Sequence, residues 1–244
     1  MAVALLWLIV WQIVAWAVHS QVLLASPVDV LLALVHLIPT GGFWVTVLFS
    51  ATRILAGFLL AMVVGAVLGL AGATWSLAEA ALSPLMRVLQ AVPVVSFVLL
   101  VLVWASSDSL SIVISFIMVT PIVYSNVFSG LASRDPSLIE MAQVFRLSLA
   151  RRWWAITLPA LMPFLTSAAR IGLGLCWKAG VSAEVIGLTS GSIGERLYQA
   201  KLFLATGDLF AWTAVVVGLA WAVEKAGLAG LSVLDRRLTR MYAT

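Results

Sequence analysis

The stretch Ser133–Pro159, SRDPSLIEMAQVFRLSLARRWWAITLP, interrupts a chain that otherwise consists mostly of long apolar runs. This stretch is too charged to lie in lipid, and its pattern is too regular for a flexible linker. In a membrane protein, an ordered charged loop on one side of the bilayer indicates contact with a soluble partner. Its charged residues are Arg134, Asp135, Glu140, Arg146, Arg151 and Arg152.

The composition around this loop is that of a membrane protein. Of the 244 residues, 63% are apolar and 10% are charged, whereas soluble domains carry about 25% charged residues. The apolar runs are continuous, unlike the alternating segments of about 10 residues that build a membrane barrel. We therefore predict an all-α integral membrane protein, a single transmembrane domain over residues 1–244 with about six spanning helices. The predicted spans are 3–24, 54–73, 91–107, 109–130, 160–187 and 209–231.

The first apolar run is predicted to be a retained helix rather than a cleaved signal peptide. A secretory signal has a basic segment before its apolar core, and no Lys or Arg precedes Arg53. The run also continues through Leu24, which makes it long enough to span a bilayer. The single cysteine, Cys176, excludes a disulfide framework.

Basic residues are distributed unevenly between the two sides of the predicted bundle. Cytoplasmic loops of membrane proteins carry the excess of Lys and Arg. One side holds only Arg196 and Lys201, so we predict that the other side is cytoplasmic and carries both termini and the 133–159 loop. Topology thus explains the net charge of +4, and nucleic acid is not an expected partner. The basic residues of the predicted cytoplasmic side are Arg87, Arg134, Arg146, Arg151, Arg152, Arg236, Arg237 and Arg240.

Small residues recur every four positions along the second predicted span. A four-residue step keeps side chains near one face of a helix, and small side chains allow a second helix to approach closely. We therefore predict a helix-packing seam along this face. Its residues are Gly57, Ala61, Gly65, Gly69 and Ala73.

The charged loop is predicted to form two short helices joined by a turn. Asp135-Pro136 ends any helix that enters from the fourth span. Ser137 and Glu140 have the spacing of a capping box, which predicts a helix over about 138–146. Ser148 can cap a second helix through about 155. The pair could lie on lipid headgroups, held by its arginines and tryptophans, or dock into a groove of a soluble partner.

The same loop resembles the EAA loop of binding-protein-dependent ABC importer permeases. The family pattern is E-A-A, three residues, G, nine residues, then I-x-L-P, and this chain keeps the spacing. Met141 replaces the middle Ala, and Arg146 replaces the Gly at the turn between the two helices. A left-handed Arg costs about 1 kcal/mol or more. We therefore expect the turn to shift toward Leu147-Ser148 or the first helix to continue further.

Four further stretches resemble the same family, so the similarity covers most of residues 45–240. Together they are similar to the branch that imports nitrate, sulfonates and taurine. One stretch precedes the second span, one lies in the fifth span, and two lead into the sixth. They are RILAGF at 53–58, WKAGVSAEVIG at 177–187, SIGE at 192–195 and DLFAW at 208–212.

The resemblance implies a MetI-like permease fold in the bacterial plasma (inner) membrane. Two copies would form a homodimer around the translocation path, although pairing with a second permease stays open. The loop would couple to an ATP-binding cassette ATPase subunit, which binds ATP and Mg, and an extracytoplasmic binding protein would deliver substrate. This chain has no Gly-Lys dipeptide and hence no phosphate-binding loop, so we predict neither a cofactor nor an enzyme. The coupling residues implied are Glu140, Met141, Ala142, Phe145, Arg146, Ile156, Leu158 and Pro159.

Three ionisable residues lie inside the fifth predicted span. Arg170, Lys178 and Glu184 fit one arc of about 120° on an ideal helix, and ionisable groups within a membrane indicate function. They are candidates for the translocation path, where Lys178 could attract an anionic solute. Alternatively the set is structural, with Arg170 extending toward the interface and Glu184 accepting hydrogen bonds near the outer end.

The segment 188–208 is predicted to be amphipathic, with Ile193, Leu197, Ala200 and Leu204 on one face. It would lie at the outer surface, either as a docking site for a binding protein or as an interfacial helix. Other functions stay open. A membrane scaffold or assembly protein could use the loop for another partner, and a vitamin-type importer subunit would need A-R-G-like motifs that do not occur here. An intramembrane enzyme would need a catalytic pair that the spans do not show.

Overall fold

The computed structural model describes residues 2–20 and 22–242, with side chains for all of these except 2, 4 and 231–242. This part of the chain is almost entirely helical. A 3-10 turn at Ser107–Ser109 precedes α6, and a π-helical turn at Trp153–Thr157 joins α8 to α9. The α-helices are α1 (Ala2–Val18), α2 (Pro27–Leu37), α3 (Gly41–Thr74), α4 (Ser76–Ala91), α5 (Val94–Trp104), α6 (Leu110–Ala132), α7 (Pro136–Val144), α8 (Leu149–Arg152), α9 (Leu158–Gly187), α10 (Ile193–Leu202) and α11 (Thr206–Tyr242).

Four helical stretches of the described chain are long and apolar enough to cross a membrane, and a bent pair brings the number to at most five. This confirms the all-α membrane class but corrects the set of six spans.

The predicted first span ends early, because α1 stops at Val18 and Ser26 caps a separate short helix, α2. The predicted third span is the 11-residue α5, bent by 104° against α4. Pro93 explains the bend, because the residue before a proline avoids helical geometry.

The predicted small-residue seam is confirmed as the contact between α3 and α6. A Cβ at Gly65 would lie 2.7 Å from Val123 Cβ, and one at Gly69 would lie 2.9 Å from the carbonyl of Tyr124. Gly57 packs even more closely against the backbone of Ile112. Residue numbers rise together along both helices, so α3 and α6 run parallel.

The core lies between α3, α6 and α9. Gly130 near the end of α6 packs on Leu161 near the start of α9, and the hydroxyl of Ser115 donates to the Cys176 carbonyl at 3.2 Å. Helices α6 and α9 are therefore antiparallel. The buried side chains of this core include Ile54, Phe58, Val119, Val123, Leu173 and Trp177.

The bundle has two ends with different loops. At one end the Thr189 hydroxyl donates to the Ser107 carbonyl at 2.9 Å, and Arg53 bonds the backbone of Asp108. We call this the outer end, and the end that carries residues 133–157 the inner end, after the predicted orientation. That orientation stays a prediction. The side chains of Arg236, Arg237 and Arg240, on which it partly rests, lie outside the described ones.

Candidate functional site

The first helix of the inner loop begins at Pro136, and Asp135 rather than Ser137 is its cap. The carboxylate of Asp135 accepts from the backbone N–H of Ser137 at 2.8 Å and from its hydroxyl at 2.7 Å. These hydrogen bonds lower the pKa of Asp135. The predicted capping box between Ser137 and Glu140 is therefore wrong, because Pro136 takes the first helical position, for which its fixed φ is suited.

The helix ends at Val144, and Arg146 itself makes the turn with a φ of 50°. Leu147 N–H donates to the Ala142 carbonyl at 2.9 Å, and Arg146 N–H donates to the Gln143 carbonyl at 3.0 Å. This is the Schellman arrangement, in which a left-handed residue, usually Gly, follows the helix. Both expectations for this position are wrong: the turn does not shift and the helix does not continue. The two hydrogen bonds offset the cost of a left-handed Arg.

The second half of the loop connects to the bundle through a continuous helical path. Ser148 caps α8, as predicted, by accepting from Arg151 N–H at 3.3 Å. The helical path then continues through the π turn into α9. Ile156 and Thr157 are buried there, so the I-x-L-P end of the motif anchors the loop.

The rest of the loop presents apolar side chains to its surroundings. Val144 is 78% exposed, Phe145 is 71% exposed and Leu149 is 80% exposed. Among the predicted coupling residues, Glu140, Met141, Phe145 and Arg146 are exposed, Ala142 and Ile156 are buried, and Leu158 and Pro159 are half-buried. An apolar patch bordered by charged residues is typical of an interaction surface.

Arg170 and Lys178 lie on one exposed face of α9. They are separated by eight residues, or about 12 Å along the helix, and Ser167 and Ser182 are exposed on the same face. Ile171 is also exposed there, but two charges and two hydroxyls make the face largely polar although α9 belongs to a membrane-spanning stretch. It requires water or protein around it, since lipid does not accept unpaired charges.

Glu184, the third predicted path residue, lies away from this face and is fully buried. Its Oε2 accepts from the Ser50 hydroxyl at 2.8 Å and from Gly194 N–H at 3.2 Å. The Ser50 hydroxyl in turn accepts from Ile193 N–H at 2.9 Å. These groups join α3, α9 and the start of α10, and we call them the outer cluster. Glu184 accepts hydrogen bonds near the outer end, as the structural alternative expected.

Sequence reasoning missed two members of this region, Ser50 and Ser111. Ser111 faces the Glu184 carboxylate from α6. Its hydroxyl and Glu184 Oε1 are buried without a hydrogen-bond partner among the described residues. Gly194 was quoted only as part of a motif, yet its lack of a side chain lets α10 pack against Glu184. An isolated Ser in an apolar run carries no signal that would identify its partner.

The outer segment forms α10, capped by Ser192, which accepts from Glu195 N–H at 3.0 Å. Ile193 and Ala200 are buried and Leu197 is half-buried, as predicted for the amphipathic face. Leu204 does not share this face. The helix ends at Leu202, and Leu204 has a φ of 54° and is 65% exposed. Arg196, Lys201, Leu202 and Phe203 are also exposed at this end.

These features define a membrane-transport subunit, and residues 54–240 match the family described as binding-protein-dependent transport system inner membrane component. The chain belongs to this family. It is 28% identical to the taurine transport system permease protein TauC of Escherichia coli (strain K12), over 94% of this chain and 84% of TauC. It is 32% identical to the nitrate import permease protein NrtB of Synechocystis sp., over 76% of this chain and 70% of NrtB.

Another relative is the putative aliphatic sulfonates transport permease protein SsuC of Bacillus subtilis (strain 168). The two are 30% identical over 83% of this chain and 74% of SsuC. Among solved structures, a chain of the inward-facing MetNI methionine ABC transporter matches with a TM-score of 0.58 and 18% identity. That match covers 83% of this chain and 95% of the other, and it shows the fold.

The predicted family, MetI-like fold and general function are therefore confirmed. The chain is a multi-pass membrane permease subunit of an ABC importer. Membership of a transport family favours this function over the scaffold, vitamin-importer and intramembrane-enzyme alternatives.

Proposed function

We propose that two copies of this chain form the translocation path for a small anionic solute and that the inner loop couples each copy to an ATPase subunit. ATP and Mg²⁺ bind to that separate subunit, and this chain supplies no cofactor. An extracytoplasmic binding protein delivers the solute at the outer end, and both termini lie in the cytoplasm. The observation that carries the proposal is the exposed apolar patch on the inner loop.

Coupling is supported by the shape of the inner loop. A short helix, α7, is held at both ends by its cap and by the Arg146 turn, while Val144, Phe145 and Leu149 project outward. A rigid amphipathic helix suits insertion into a groove of a soluble partner. The EAA resemblance supports an ATP-binding cassette subunit as that partner.

A second copy is supported by the exposed face of α9. Arg170 and Lys178 lie mid-helix in a spanning segment and face away from the rest of the chain. Exposure to lipid would cost several kcal/mol, whereas a second copy and a water-filled path between the copies avoid that cost.

An anionic solute is supported by the charge of that face. Its exposed side chains include two cations, and among the described residues of α9 it includes no acidic one. The relatives named above are described as transporting taurine, aliphatic sulfonates and nitrate, all of which carry an anionic group. Cations along a path attract such groups and exclude inorganic cations.

The binding protein is assigned to the outer end because α10 offers a second exposed surface there. Leu202 and Phe203 are 63% and 77% exposed beside Arg196 and Lys201. The outer cluster holds the base of α10 on α3 and α9, so this surface has a fixed position. Mixed apolar and basic character suits a protein partner with acidic groups at its contact face.

The test is affinity purification of the tagged chain from its native membrane, followed by mass spectrometry of the retained proteins. The chain with its native loop should retain an ATPase that carries a phosphate-binding loop. A Val144→Ser, Phe145→Ser variant should lose it. The matched control, Leu202→Ser, Phe203→Ser, removes similar apolar surface from the outer end and should retain it.

Failure to recover any ATPase with the native chain would contradict the coupling proposal. Equal recovery with all three chains would keep an ATPase partner but move the contact away from Val144 and Phe145.

A further inference from the structure

A cavity of about 520 Å³ opens at the inner end of the bundle. Its walls come from the last two turns of α3, the end of α6, and α8 with the π turn that follows. We call it the inner cavity. Leu149 lines the cavity and also belongs to the exposed apolar patch of the loop, but the other lining residues do not, so the proposed coupling patch accounts for only one edge of it.

Two arginines line the inner cavity, and no acidic residue does. Arg134 is held in place because its Nε donates to the Leu131 carbonyl at 2.8 Å and one terminal nitrogen donates to the Thr157 hydroxyl at 3.5 Å. Burial and the neighbouring charge of Arg152 lower the pKa of Arg134. The one ion pair found among the described side chains, Arg53 with Asp108, lies at the other end of the bundle. The two guanidinium groups therefore share a site without a counter-ion.

The remaining walls of the inner cavity are mostly apolar. Val67, Leu70 and Leu149 contribute aliphatic surface, and Trp75 and Trp153 lie at the rim. Tryptophans favour the level of the lipid headgroups, and α3 ends at this level. A ligand with both a phosphate and a hydrocarbon chain would contact the two arginines and also cover the aliphatic wall. A free inorganic anion would contact only the arginines.

We propose that the inner cavity binds the phosphodiester headgroup of an anionic phospholipid from the cytoplasmic leaflet. Arg134 and Arg152 contact the phosphate, and an acyl chain lies along Val67 and Leu70. The lipid bridges α3 to α8, which leads into the rigid base of the loop. The binding test needs neither substrate nor the ATPase, and only the choice of leaflet rests on the orientation in the proposed function.

The test is native mass spectrometry of the purified full chain in detergent, titrated with phosphatidylglycerol and, separately, with zwitterionic phosphatidylcholine. The wild-type chain should retain one phosphatidylglycerol in preference to phosphatidylcholine. An Arg134→Gln, Arg152→Gln variant should bind it about thirtyfold more weakly, since each of the two basic residues contributes about 1 kcal/mol near a lipid surface. The control, Arg151→Gln, removes one such charge from an exposed neighbour outside the cavity and should bind as the wild type does.

A second variant keeps the test valid if the double substitution does not fold. Ala71→Phe fills the cavity but leaves both arginines, and it should also weaken phosphatidylglycerol binding. Equal binding by all variants would overturn the proposal, as would an equal loss in Arg151→Gln, which would show non-specific attraction. Displacement of the lipid by millimolar inorganic phosphate alone would also overturn it, because the site would then recognise a soluble anion.

Discussion

The two ends of the molecule differ in how their characteristic side chains are surrounded. At the outer end, Glu184 is fully buried and its Oε2 accepts two hydrogen bonds from residues of the same chain. At the inner end, Phe145 and Leu149 are 71% and 80% exposed, and the described chain provides nothing that covers them. The outer cluster is thus held together by residues of this chain, whereas the inner loop leaves apolar side chains that the proposed ATPase partner would cover. The difference teaches that the buried ionisable side chain Glu184 stabilises the fold here, whereas the exposed apolar side chains of the inner loop are available for assembly.

The largest expected effect comes from removing the centre of the outer cluster. Glu184→Ala leaves the Ser50 hydroxyl and Gly194 N–H buried without their acceptor, so we expect a loss of about 2–4 kcal/mol in the free energy of unfolding. Glu184→Gln keeps an acceptor oxygen and should lose less. Denaturant-induced unfolding in detergent micelles measures both.

Two controls make that result specific. Glu79→Ala removes an exposed carboxylate from α4 and should leave stability unchanged, as should Phe145→Ala at the inner loop. A loss below about 1 kcal/mol in Glu184→Ala, or an equal loss in Phe145→Ala, would break the contrast between the two ends.

A smaller effect is expected at the seam that joins the two ends. In Gly65→Ala the new Cβ would lie 2.7 Å from Val123 Cβ and 2.9 Å from the Thr120 carbonyl, so α3 and α6 must separate, at about 1–3 kcal/mol. Gly218→Ala on α11 is the matched control, since no atom lies within 4 Å of its new Cβ. It should be neutral or slightly stabilising. The same unfolding assay compares them, and equal stability of the two variants would argue against the seam.

The smallest effect is expected from two left-handed positions, one at each end. Arg146→Gly relieves a side chain at a φ of 50° and should stabilise the chain by about 1 kcal/mol. Gly191→Ala places a side chain at a φ of 74° and should destabilise it by a similar amount. Thermal unfolding of the pair should therefore give shifts of opposite sign. Shifts of the same sign would show that φ does not control stability at these turns.

Sequence reasoning succeeded where the signal is local or a family motif. The EAA loop, the seam at Gly65 and Gly69, and the Ser148 cap are all encoded within a few residues. It failed where two local rules applied to the same residues and predicted different structures. Pro136 takes the first helical position of α7, so Asp135 rather than Ser137 caps the helix. Hydrogen bonds to the carbonyls of Ala142 and Gln143 hold Arg146 in the turn.

Long-range contacts lie beyond such reasoning for a different reason. Glu184 and Ser50 are 134 residues apart, and helical periodicity alone allowed Glu184 to share an arc with Arg170 and Lys178. Only the packing of α3 and α10 shows that Glu184 turns inward. The bend between α4 and α5 was missed because the run after Pro93 is as apolar as a true span.

The measurement that tests this account most directly is site-specific cross-linking between this chain and its co-purified ATPase. The single native cysteine, Cys176, is buried, so Phe145→Cys and Phe203→Cys each place one accessible thiol, at the inner and outer end respectively. With a thiol-to-amine cross-linker, the account predicts an adduct with the ATPase from Phe145→Cys and none from Phe203→Cys. An adduct from Phe203→Cys, or none from Phe145→Cys while the ATPase still co-purifies, would contradict it.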